Sequence, residues 1–183
     1  MKLLLPLALL LLTAAGCGGD GGDAFSGDPD VPGGYKTYEA DGVSFAYPGD
    51  WAVDEGTAED GGATVEITPP DKTKTPYGLI RLSVSPGAGA RFESLADQRR
   101  LVIRDVNDGE IDSDAEVDIP GADQALRATA TTPPGQGSDP VEVKADSLDV
   151  LRGDDVVTLT AAAPDRDGQE LDPSAVVDTF RLK

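Results

Sequence analysis

From residue 43 onward, most of this chain alternates apolar and polar side chains with a period of two, the signature of half-buried strands. Val43, Phe45 and Tyr47 fall on one face, with Ser44 and Ala46 on the other. Pro48-Gly49-Asp50 ends that run in a turn, because proline lacks a donor and glycine tolerates positive φ. Trp51 and Val53 begin the next strand, and Val65 and Ile67 alternate with Thr64, Glu66 and Thr68. Pro69-Pro70 stops that segment, a polar loop follows through Pro76, and Ile80, Leu82 and Val84 then alternate with Arg81 and Ser83.

One helix interrupts the strands. Phe92, Leu95, Arg99, Val102, Ile103 and Val106 recur at three- and four-residue spacing, with polar residues on the other faces, which predicts an amphipathic helix. Asn107-Asp108-Gly109 would end it in a left-handed conformation. Arg99 and Arg100 are expected to lay their stems along the core with their charges in water.

The second half returns to strands. Ala115, Val117 and Ile119 predict one, and Leu126, Ala128 and Ala130 the inward face of another. Thr132 to Pro140, with Pro133-Pro134-Gly135, reads as a hairpin connection. Val141, Val143 and Ala145 are out of phase with Leu148 and Val150, so a bulge is expected near Asp146-Ser147. Arg152-Gly153-Asp154 is a tight turn rather than an adhesion tripeptide. Val157, Leu159 and Ala161 make a last long strand, and Pro173-Ser174 opens a short helix whose apolar side is Val176, Val177 and Phe180.

The N-terminal segment has a different character. Lys2 precedes the apolar run Leu3 to Leu12, which is shorter than the ~20 residues of a membrane span and suits the core of a signal peptide. Thr13-Ala14-Ala15-Gly16-Cys17 then resembles the lipobox of bacterial lipoproteins, with Ala14 where that family usually has Leu. The resemblance implies removal of residues 1–16 and a diacylglyceryl group on Cys17, the one cysteine of the chain. The alternative is an ordinary secretory leader cut after Ala15 or Gly16. Residues 17–34, rich in Gly, Asp, Ser and Pro, are expected to be the lipidated cysteine and a flexible tether spanning ~20–25 Å. Residues 35–183 have the length of one domain with its own core.

Charge and composition narrow the function. The whole chain carries −19, and loss of residues 1–16 removes Lys2 and no acid, leaving −20. An anionic bilayer repels such a body, so two acyl chains would have to anchor it. Nucleic acid is not an expected partner, because neutralising phosphates needs a basic stripe. The chain contains no histidine, which rules out a Ser-His-Asp or Cys-His arrangement in its own residues. The loops Asp105–Gly109 and Asp165–Gly168 place glycine at the fifth and fourth positions, not at the sixth as in a calcium loop. No cofactor, metal site or catalytic residue is assigned.

Gly42-Val43-Ser44-Phe45-Ala46-Tyr47-Pro48-Gly49-Asp50-Trp51 resembles the opening hairpin of the PsbP-like fold, as found in actinobacterial lipoproteins of the LpqN and LpqT type. The ending Asp178-Thr179-Phe180-Arg181-Leu182 is similar to the last element of that family. The resemblance spans Tyr38 to Lys183. It implies an α+β domain, an antiparallel sheet flanked by helices in an α/β/α sandwich, without a shared catalytic set. Tyr47, Pro48 and Trp51 would be fold-formers. The expected protein is an extracytoplasmic lipoprotein held in the cell membrane through Cys17. It would act as a non-enzymatic binding or accessory module for an envelope protein or a small ligand. A carboxylate-dependent hydrolase of envelope glycans and a passive acidic spacer are the alternatives. The Pro-rich loops near Pro69-Pro70 and Pro133-Pro134, or the sheet side, are the expected binding face.

Overall fold

The computed structural model describes residues 29–73, 76–103, 108–134, 140–168 and 170–183. Leader, lipobox and Cys17 lie outside them, as do residues 104–107 and 135–139. Among the described residues are ten strands and two helices: β1 (Tyr35–Ala40), β2 (Val43–Pro48), β3 (Ala52–Thr57), β4 (Ala63–Thr68), β5 (Leu79–Ser85), α1 (Phe92–Leu101), β6 (Glu110–Glu116), β7 (Gln124–Thr132), β8 (Val143–Arg152), β9 (Asp155–Pro164), α2 (Pro173–Asp178) and β10 (Arg181–Leu182). All strand pairs are antiparallel. Seven strands form the main sheet in the order β3-β4-β5-β9-β8-β7-β6, and β1-β2-β10 form a small second one. The domain is therefore sheet-dominated α+β, with short helices as partial cover rather than full layers.

The first pair, β1 and β2, is joined through Asp41 (φ 52) and Gly42 (φ 75). Two left-handed residues match the strand twist of a tight hairpin. The hydrophobic pattern contains no sign of β1, since in YKTYEA only Tyr38 is buried. Residues 42–51 are not a hairpin. Pro48 O accepts from Trp51 N at 3.1 Å, and this corner carries the chain from the small sheet into β3 of the large one. The two segments that carry the family resemblance lie against each other. Arg181 and Leu182 pair with Ser44 and Val43, and Ala46 N donates to Thr179 Oγ1 at 2.8 Å.

The main core lies between the large sheet and a cover of β1, β2 and α2. Ile67, Ile80, Leu82, Leu148, Val150, Val157 and Leu159 project from the sheet, meeting Phe45, Trp51, Val176, Val177 and Phe180. Asp172 caps α2 by accepting from Ser174 N at 3.0 Å, with Pro173 in the first turn. The opposite face of the sheet is covered in part by α1, whose Phe92 and Ala96 pack with Leu126 and Val156. Beyond α1 that face carries Glu66, Arg81, Ser83 and Thr160, all partly or fully exposed.

Several sequence expectations change here. The helix is α-helical to Leu101, and Val102, placed on its inner face by spacing, is 44% exposed. Val106 and Asn107 fall outside the described residues; Asp108 (φ 50) is left-handed, and Gly109 N donates to Ile103 O at 2.9 Å. Strand β6 ends at Glu116, so Val117 and Ile119 follow it, and Ile119 enters the core from the connection. No bulge interrupts β8, which pairs in continuous register with β7 from Val143 to Leu151 and with β9 from Val143 to Arg152. Its phase change reflects burial on both faces. The irregularity sits in β6 instead, between Ile111 and Ser113. Gly153 (φ 61) opens the tight β8–β9 turn as expected.

Candidate functional site

The sheet ends that hold the Pro-rich loops also hold a cleft. Strand β4 runs out at Thr68 into Pro69, and β9 runs out at Pro164 beside Val143 of β8. The β4–β5 connection and the β9–α2 connection therefore emerge at the same end, separated by β5. Between them lies a cavity of about 340 Å³. Its floor is made of its buried lining residues, Trp51, Gly78 and Pro164. Pro69, Tyr77 and Arg166 are half-buried walls, and Asp71, Pro76, Asp167, Gly168 and Glu170 form the exposed rim.

Hydrogen bonds fix the two loops. Arg166 donates through Nη2 to Pro76 O at 3.0 Å, tying the β9–α2 loop to the β4–β5 loop. Asp71 accepts from Thr73 N at 2.9 Å, a local turn bond. Tyr35 donates to Glu170 O at 2.9 Å and accepts from Asp172 N at 3.1 Å, which locks the rim to β1. Burial of the Tyr35 phenol, offset in part by its Asp172 backbone bond, raises its pKa above the usual tyrosine value. Asp165 N donates to Glu142 O at 2.7 Å, and Lys144 pairs with Asp165 at 2.9 Å, so the loop start is pinned to β8.

Trp51 was expected to be a fold-former, and it is 5% exposed within the core. It also closes the cleft, and its indole Nε1 is buried with no hydrogen-bond partner. A buried donor without an acceptor costs about 1–3 kcal/mol, so this one stands out among the floor residues. Pro69 is where the expected Pro-rich face places it, but Pro133 and Pro134 do not line the cleft. They follow β7, which three strands separate from β4, roughly 19 Å away at the usual strand spacing. The second wall of the site is built by residues 164–168 and 170, a segment whose sequence signal is only an imperfect calcium loop.

Two buried carboxylates were also missed. Asp146 and Asp149 of β8 are 1% and 3% exposed. Asp146 accepts from Arg127, with Nη2 to Oδ2 at 2.6 Å, and Arg127 also reaches Asp178 at 2.8 Å. Desolvation opposes the Arg127 charge, yet the carboxylates of Asp146 and Asp178 outweigh it and raise its pKa overall. Asp149 pairs with Arg99 and accepts from Thr158 Oγ1 at 2.8 Å. Arg99 therefore does not reach into water as its position on the helix suggested. Arg100 is held by Asp114 and Asp97, and the Asp114 bond, with help from Asp97, raises its pKa. These acids are spent on structure. Among the described residues no group of three or more Cys, Asp or Glu side chains is placed to hold a metal ion, and no helix is long and apolar enough to cross a membrane.

The chain matches no family model and no curated protein. Among solved structures it is similar to a protein from Bacteroides thetaiotaomicron VPI-5482, at 18% identity and a TM-score of 0.48. The similarity covers 82% of this chain and 49% of that one, so the chain spans about half the length of that protein.

Proposed function

We propose that this protein is a membrane-anchored lipoprotein with a PsbP-like α/β/α domain, working outside the cytoplasm as a non-enzymatic binding module of the cell envelope. Support for the address is Cys17, which follows an apolar run and small residues in the lipobox pattern. Support for a binding role is the cleft between residues 69–73 and 76–78 on one side and 164–168 and 170 on the other, a concave site set on the end of a rigid sheet. Diacyl attachment supplies the membrane affinity that a chain of −20 lacks. The tether then lets the domain stand clear of the headgroups.

Two measurements test this reading. Cys17→Ala should move the protein from the membrane fraction to the soluble fraction, and mass spectrometry of the mature N-terminus should find the acylated cysteine in the parent. Cross-linking from intact cells with the anchored protein as bait should capture a partner or ligand, and replacement of Tyr77 and Asp167 should weaken the capture. An unmodified parent N-terminus, or capture indifferent to the cleft, would remove the corresponding half of the proposal.

A further inference from the structure

We infer that the free edge of β3 docks an extended segment of a basic partner protein, which adds to the seven-stranded sheet as a further strand. This surface is separate from the cleft and goes beyond the role given to the cleft above. Three features of β3 carry the inference.

The first is an open and regular backbone. β3 ends the main sheet and pairs with β4 alone. Ala58 N donates to Gly62 O at 2.8 Å in the turn between the two strands, and hydrogen-bonded pairs alternate along an antiparallel ladder. Ala52, Asp54 and Gly56 therefore spend their main-chain groups on β4, while Val53, Glu55 and Thr57 point theirs outward. Among the described residues nothing bonds to those outward groups. All six residues of β3 are exposed, and no bulge breaks the pairing. The opposite edge of the sheet, β6, is bulged between Ile111 and Ser113, a device that keeps added strands away. β3 lacks it.

The second is a hollow beside that edge. Asp54 pairs with Glu66, Glu66 with Arg81, and Gly56 with Thr64, so all five lie on one face of the sheet. They help to line a hollow of about 470 Å³. Gly56 does not have a positive φ, so the backbone does not demand glycine there. A Cβ at this position would meet only the Thr64 hydroxyl, at 3.0 Å. Glycine inside a strand marks a place where another chain can approach closely, and an aromatic ring on a neighbouring strand covers such a gap.

The third is charge. Glu66 is already paired with Arg81, and Glu55 accepts only from the neutral Tyr38 hydroxyl, at 3.0 Å. Among the described residues neither Asp54 nor Glu55 has a cation partner. The edge thus presents two uncompensated carboxylates, one on each face. Lys or Arg opposite them in an added strand makes favourable cross-strand pairs. The same rule refuses a second copy of β3. In the antiparallel registers that pair most of the strand, Asp54 or Glu55 falls opposite its own twin, and like charges directly opposite repel. The chain total of −19 also steers a basic partner towards the protein.

The full chain, ¹⁵N-labelled in detergent micelles, is titrated with the blocked peptide Ser-Thr-Tyr-Lys-Arg-Val-Thr-Ser. Aligned antiparallel, this peptide sets its Tyr beside Gly56, its Lys and Arg opposite Glu55 and Asp54, and its Val opposite Val53. Amide exchange should slow at Val53, Glu55 and Thr57 and stay unchanged at Ala52, Asp54 and Gly56, an alternation that a strand on this edge produces. Glu in place of the peptide's Lys and Arg should weaken binding at least about ten-fold, and Gly in place of its Tyr about three-fold. Val53→Pro removes an outward N–H and leaves the β4 ladder intact, so it should abolish binding. If it also lowers the thermal midpoint, Asp54→Lys with Glu55→Lys, at exposed positions, takes its place and should abolish binding as well. Variants of Tyr77 and Asp167, which alter the cleft, should bind the peptide as the parent does. Exchange at β3 that the peptide leaves unchanged overturns the inference, as does equal affinity for the basic and acidic peptides. A peptide that loses affinity in the cleft variants without slowing β3 binds in the cleft, and the edge inference then fails while the binding-module reading stands. A concentration-dependent dimer of the free chain that Val53→Pro abolishes also overturns it, because the occupant of the edge is then a second copy.

Discussion

Asp146 and Asp149 lie three residues apart on one strand, and each is buried on a different face of the same sheet against its own arginine. The odd spacing dictates this, because side chains alternate along β8. Asp146 shares the main-core face with Leu148 and Val150 and meets Arg127, which stands on β7 opposite Leu148. Asp149 shares the other face with Leu151 and meets Arg99 on α1. The helix is thus fastened to the sheet through an ion pair as well as through Phe92 and Ala96. Burying two such pairs carries a desolvation penalty that their attraction only partly offsets.

A single substitution in the Arg127 pair should therefore be severe and a double one mild. Arg127→Leu leaves Asp146 buried without its cation, and about 3–5 kcal/mol of unfolding free energy should be lost in urea titration. Arg127→Leu with Asp146→Leu should recover most of it, since a packed apolar pair replaces the ions. Equal losses in the single and double variants would show that the pair is not what holds this part of the sheet.

Thr179 joins the two ends of the domain. Its hydroxyl accepts from Ala46 N and donates back to the last turn of α2, with Val176 O at 2.9 Å. Thr179→Val keeps the shape and removes the acceptor, leaving a buried amide unpaired. A loss of about 1–3 kcal/mol is expected, with Thr179→Ser closer to the parent. Hydrogen exchange at the Ala46 amide should accelerate in the valine variant.

Two adjacent glycines should respond differently to alanine. A Cβ on Gly62 would sit 2.0 Å from the Val84 carbonyl oxygen, so β5 backbone would have to move. Gly61 has φ +83 with open space around it, and its substitution meets only the left-handed penalty of about 1–2 kcal/mol. Gly62→Ala should be the more damaging of the two in thermal unfolding.

Alkaline pH should weaken the fold through Tyr38. Burial is the largest cause, and the bond donated to Glu55 at 3.0 Å adds to it, together raising the phenol well above its ordinary value of 10.0. A raised folded-state pKa means that ionisation favours the unfolded chain. The stabilisation is complete below about pH 10 and drains away as pH rises above it toward the folded-state value. Urea midpoints should fall as pH rises from about 10 to about 11, less steeply in Tyr38→Phe. Tyr35, raised in the same direction, accounts for a residual slope.

Strands whose core face is purely aliphatic could be read from the pattern: β4 from Val65 and Ile67, β5 from Ile80 and Leu82, and β9 from Val157 and Leu159. Where a charge enters the core, the pattern misleads. Asp146 and Asp149 read as solvent positions, so β8 looked phase-shifted when it is regular and covered on both sides. The first strand escaped notice because one buried residue, Tyr38, carries no periodicity. The Asp41-Gly42 turn was the available signal for it. Half of the cleft was legible in Pro69-Pro70, which had to be a loop. Its other half, residues 164–168 and 170, is distant in sequence and is brought there only by the return of β9 next to β5.

By itself the sequence determined that the domain is built mainly of strands, with one longer helix and one short one, together with the net negative charge and the lack of histidine. These follow from local period and composition, which need no partner residue to be read. Tertiary structure alone decided which arginine met which aspartate, that Trp51 would close a cleft with its N–H unanswered, and which two loops would share that cleft. Each of these is a contact between residues far apart along the chain, fixed by strand order in the sheet, and periodicity carries no record of strand order.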